Sequence, residues 1–171
     1  PNNDNYIRLA QIGVLWFRLG ATTVIFNESV YGGGANILVL NEWQHITFVR
    51  DSSNIIRCYR NGVDFGYNAA AAANSNTLTL NSFGRIITNS FGFGGGLDEI
   101  AFWNSDQTSN LATIYNGGTP TTLPSGAVAH YRMGEDASFN GTNWTVPDNA
   151  GSNTGTSNAM DVDALVGEAP N

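Results

Sequence analysis

The chain has no lysine: all seven basic residues are arginine, set against fourteen acidic ones for a net charge of −7. That balance argues against a nucleic-acid ligand and against an anionic membrane surface, both of which need a basic footprint. Cysteine occurs once, as Cys58, which excludes an intrachain disulfide framework and a Cys-based zinc site. Between Arg57 and Tyr59 in a strand-like run, it reads as a small, partly buried strand residue rather than a reactive thiol. Histidine is nearly as scarce, with only His45 and His130. No serine sits in a nucleophile-elbow pattern, so little is left for Ser-His-Asp chemistry. No apolar run reaches the length of a membrane span. Pro1 begins no signal peptide, which leads us to expect either a removed leader or an internal piece of something longer.

What is present is period-2 alternation and turn chemistry. Residues 41–50 read as a strand, 51–54 as a turn, and 55–60 as a returning strand. Asn61-Gly62 then supplies the two positive-φ residues of a type I′ hairpin before Val63-Asp64-Phe65. Strand-like segments also occur at 6–10, 12–19, 22–26, 77–80, 83–88 and 97–103, with Gly20 marking a turn. Short strands recurring every eight to twelve residues or so predict an all-β antiparallel sandwich. The five alanines at 69–73 are too few to nucleate a helix and read as loop or strand edge. One short helix is expected over 106–115, capped by Asp106 and stopped by Asn116-Gly117-Gly118. Pro120, Pro124 and Gly126 then form a linker, 127–133 a further strand, 134–158 a polar, glycine-rich stretch and 160–166 a weak extended segment. The organisation expected is a compact body over 1–118 and a loop-rich extension over 119–171.

Four motifs in order carry a family likeness: Trp43-x-His45, Cys58-Tyr59-Arg60-Asn61-Gly62, Gly96-Leu97-Asp98-Glu99-Ile100, and Ile114-Tyr115-Asn116-Gly117. Together they resemble the laminin-G-like domains, which share the concanavalin A-like jelly roll. The resemblance implies a jelly-roll β-sandwich of antiparallel strands with one short helix. An early strand pair of that family has no counterpart before Tyr6. The body is therefore expected to lack its first strands, leaving open ladder edges that a neighbouring chain or domain would complete. A second likeness covers Ala129-His130-Tyr131-Arg132-Met133-Gly134-Glu135 and Trp144-Thr145-Val146-Pro147-Asp148. It resembles extensions that follow such domains in structural proteins of marine tailed phages.

The two likenesses imply a non-enzymatic binding or structural module of a virion surface protein, such as a capsid decoration, fibre or spike. Its partners would be other virion or cell-surface subunits and glycans, in an oligomer or a larger chain, on a virion or outside the cell and without membrane insertion. The alternative is a calcium-dependent carbohydrate-binding lectin domain of a secreted or cell-surface protein. Glycosidases of this fold place carboxylates as Glu-x-Asp-x-x-Glu, and none of the five glutamates has that spacing. Asp98 and Glu99, if on a strand, point to opposite faces and do not cooperate. Asp98 is then a buried acceptor for backbone N–H groups, a ligand of the structural Ca2+ that relatives of this fold often carry nearby, or a plain exposed residue. Asp148, Asp161 and Asp163 are further carboxylates able to gather a cation, but read first as solvated loop acids. Gly32-Gly33-Gly34 and Gly94-Gly95-Gly96 lack the lysine of a phosphate loop and read as turn glycines. For stacking against a sugar ring or bonding its hydroxyls, the candidates are Tyr31, Asn104 and Trp144, while Trp16 and Trp103 read as core.

Overall fold

A computed structural model describes residues 5–11, 14–27, 38–65, 75–84 and 92–165. The chain divides into two compact units, Pro1–Gly94 and Gly95–Asn171. The change of composition near residue 119 falls inside the second.

Among the described residues, the first unit contains two three-stranded antiparallel sheets. One is β1 (Asn5–Gln11), β2 (Val14–Leu19) and β3 (Thr22–Asn27), joined in sequence order. The other is β4 (Ile46–Arg50), β5 (Ile56–Arg60) and β6 (Val63–Asp64). Alternation sets the inner faces: Leu15, Phe17 and Leu19 of β2 are buried while Val14, Trp16 and Arg18 between them are only half-buried. Val24 and Phe26 of β3 and Ile56 and Cys58 of β5 complete one core with them. Phe48 of β4 meets Phe17 and Phe26 across the gap, ring centroids 5.1 and 5.6 Å away. The two sheets thus close into a sandwich on a shared aromatic contact.

The Asn61-Gly62 hairpin forms as expected, with φ of 50° and 75° at its two central residues. The strand expected from residue 41 begins only at Ile46. Asn41 takes a φ of 61°, and the Gln44 side chain pairs with both backbone groups of Val39, so this segment turns instead. Residues 75–82 carry no strand, although Leu78 packs on the core and Arg50 donates to the Asn76 carbonyl. Trp16 is not core. Its parity places it on the outer face of β2, opposite Arg8 of β1, whose guanidinium carbon lies 5.4 Å from the ring centre. Tyr31, residues 69–73 and 85–88 lie outside the described residues.

Cys58 is fully buried between the sheets, and burial followed by the Asp64 charge pushes its thiol up to about 12. Thiol reagents should therefore leave it unmodified in the native protein and react at once in denaturant. Native labelling within minutes would show that the core is not closed around it.

The second unit pairs β7 (Ile100–Trp103) with β8 (Ala127–Tyr131). It also holds a small sheet of β9 (Ser138–Phe139), β10 (Trp144–Val146) and β11 (Gly155–Thr156). That sheet was not expected, because strands of two or three residues are too short to show alternation. The expected helix is a 3-10 turn at Thr108–Asn110 running into α1 (Leu111–Tyr115). Asp106 caps its approach by accepting from the Thr108 N–H, and Asn116 ends it in the left-handed region. The last weak extended segment is instead a 3-10 turn at Val162–Ala164.

Candidate functional site

Leu97, Asp98 and Glu99 do not continue β7. Glu99 takes a φ of 49° immediately before the strand starts, so the rule that adjacent strand residues face opposite ways does not apply. The carboxylates of Asp98, Glu99 and Glu135 instead gather within 4.8 Å of one another. The expectation that the first two could not share a site is corrected here by that one backbone dihedral.

The complementary groups are His130 of β8 and Arg132, the residue just past its end, and both reach Glu99. The His130 ring donates from Nε2 to Glu99 Oε2 at 2.7 Å. Arg132 Nε donates to Glu99 Oε1 at 3.2 Å, and its Nη2 donates to Glu135 Oε1 at 3.0 Å. Asp136 Oδ2 stands 3.9 Å from Arg132 Nη1. The Glu99 hydrogen bond pushes the Arg132 guanidinium up from its ordinary value, and the charges of Glu135, Glu99 and Asp136 act in the same direction.

This network forms one wall of a cavity of about 390 Å³, lined by Glu99, His130 and Arg132 with Pro120, Thr121, Thr122 and Leu123. Two threonines, a histidine, an arginine and a glutamate line one space beside a proline and a leucine. Such a lining can hold a polyhydroxylated ligand by hydrogen bonds and one apolar contact.

Asp148, which accepts the backbone N–H of His130, fastens the loop that follows β10. Its Oδ1 accepts the backbone N–H of His130, Ala150 and Gly151 at 2.9–3.1 Å, and its Oδ2 accepts that of Asn153 at 3.1 Å. The Tyr131 hydroxyl donates to the Asn153 carbonyl at 2.7 Å. Gly151 passes so close to β8 that a Cβ there would lie 2.5 Å from the Val128 carbonyl oxygen. Desolvation pushes the Asp148 carboxyl up, but the four backbone donors outweigh it and hold the group at about 2. Asp148 had read as a solvated loop acid; it is the anchor of this loop.

The residues singled out from sequence are not gathered together. Asp98 joins the carboxylate cluster, with its Oδ1 accepting the Glu99 N–H at 2.9 Å. Asn104 is exposed just past β7. Trp144 is half-buried in β10, its ring 5.3 Å from Phe139 and its indole N–H given to the Asp161 carbonyl at 2.8 Å. Tyr31 lies outside the described residues. The groove residues Thr121, Thr122, His130 and Arg132 were missed. The spacing His130-x-Arg132 on a predicted strand was the available signal, since it puts both side chains on one face.

The donor set does not fit the calcium ion that the family likeness implied. Calcium takes six to eight oxygens, whereas both oxygens of Glu99, Oε1 of Glu135 and Oδ1 of Asp98 already accept N–H groups. A guanidinium is seated between two of the three carboxylates.

Stacked antiparallel sheets closed over an aromatic core define the first unit as an all-β sandwich. A family model of the concanavalin A-like lectin/glucanases superfamily matches residues 2–110, and the chain belongs to that superfamily. Neither a curated protein nor a solved structure matches it. Glu99 falls inside the matched stretch, and the remaining groove residues lie beyond it. Among the described residues no helix is long and apolar enough to cross a membrane.

Proposed function

We propose that the chain is a non-catalytic binding and structural module of a virion surface protein, and that the Glu99–His130–Arg132 groove holds a neutral, polyhydroxylated ligand of saccharide type. One observation carries the binding half. The ionisable groups of the groove bond to one another, Glu99 through both oxygens, which fixes them as oriented hydrogen-bonding groups. A glycosidase needs one carboxyl free to protonate a leaving group and another free to attack; Glu99, held through both oxygens by His130 and Arg132, suits neither role. Placement on a virion rests on the likeness of residues 129–135 and 144–148 to phage structural proteins. The rival reading, a calcium-dependent lectin using Asp98, is disfavoured by the guanidinium seated in its cluster.

Immobilised polysaccharides should retain the purified chain without releasing reducing ends. The double variant Thr121→Val/Thr122→Val keeps the ion pairs and should weaken retention roughly tenfold, the worth of two modest hydrogen bonds. Unchanged retention in that variant would sink the groove as the site. Reducing ends released by the native chain and abolished by Glu99→Gln would sink the non-catalytic reading. Asn104→Ala and Trp144→Ala, measured alongside, decide whether either residue touches the ligand. Antibody against the chain should decorate intact virions in electron micrographs; particles that stay bare would overturn the virion assignment.

A further inference from the structure

We infer that Arg132 is the resident cation of the Asp98–Glu99–Glu135 cluster, filling with its own guanidinium the place a calcium ion would otherwise take. Three carboxylates within 4.8 Å of one another repel strongly unless something positive lies among them. Arg132 meets that need by a planar fork, with Nε on Glu99 and Nη2 on Glu135. Asp136, 3.9 Å from Nη1, adds a fourth negative charge beside the same guanidinium. The guanidinium thus comes from the residue that follows β8 and the imidazole donor from β8 itself, whereas the carboxylates come from the approach to β7 and from residues 135–136. A charge carried on the chain needs no solute to arrive. The unit is therefore built to keep this seam closed whatever the calcium concentration around it.

Removing the guanidinium should expose an oxygen-rich cluster of the kind that hard cations occupy. The test is thermal unfolding of the full chain in millimolar calcium and in chelator, with terbium luminescence as an independent readout of ion binding. The native chain should melt at the same temperature in both buffers and give no terbium signal that calcium displaces. Arg132→Gln should gain a calcium-dependent rise of about 4 °C or more, together with such a terbium signal. Arg132→Lys retains a positive charge and should remain indifferent to calcium. A native chain that calcium stabilises would overturn the proposal. So would an Arg132→Gln variant that ignores calcium, or an Arg132→Lys variant that responds to it. If Arg132→Gln folds only in calcium, that rescue supports the proposal; if it folds in neither buffer, calcium does not replace the lost charge and the proposal falls.

Discussion

Replacing Phe26 with alanine is expected to cost about 3–5 kcal/mol, the range for deleting a fully enclosed aromatic side chain. Phe26 has no exposed surface and packs where both sheets of the first unit converge. Its ring stands 5.6 Å from Phe48, which in turn touches Phe17 at 5.1 Å, so one deletion loosens the contact that joins the sheets. Domains of this kind are stable by only about 5–15 kcal/mol, so the variant should sit near its folding threshold. Urea unfolding followed by tryptophan fluorescence would measure the loss. A cost below about 1 kcal/mol would mean that the site collapses around the gap or is open to water.

The second large effect belongs to Asp148→Ala. Four backbone N–H groups would lose their acceptor at once, and the loop over residues 148–153 would come away from β8. The His130 N–H is half-buried and would be left unsatisfied, whereas the exposed donors of Ala150, Gly151 and Asn153 can turn to water, so about 1–2 kcal/mol of the stability of the second unit should disappear. The native protein should also show an acid limb that the variant lacks. A carboxyl held at about 2 rather than its ordinary 3.8 contributes stability that is complete above its unfolded value. That contribution drains away as pH falls through the window between the two values. Allowing for partial exposure, it amounts to about 1–2 kcal/mol. Parallel pH titrations of the unfolding midpoint decide the matter: identical slopes for native and variant between roughly pH 4 and pH 2 would remove Asp148 from the account.

The sandwich was legible because its signals are local and repeated. Burial alternates strictly along residues 14–19, and Asn61-Gly62 encodes its own turn through two dihedrals that few other residues accept. Trp16 was misjudged because composition says only that tryptophan is bulky and apolar. Parity decides the face, and Leu15 and Phe17 on either side of it had already claimed the inner one. The groove was illegible for a different reason. It depends on a left-handed Glu99, a single-residue departure that no periodicity announces, and on partners 31 and 33 positions away in sequence. Asp148 escaped notice because an acid followed by Asn-Ala-Gly looks like an ordinary polar loop. Its importance comes from backbone donors, which leave no trace in side-chain identity.

The burial of Cys58 carries a practical corollary. A chain whose one native thiol is sealed between two sheets, and which has no lysine, offers the chemist an almost blank surface. A cysteine introduced at an exposed position such as Val63 or Met160 would be the sole target of a maleimide dye or spin probe. Reporters could then be set one at a time in either unit, with no background mutation to remove competing sites.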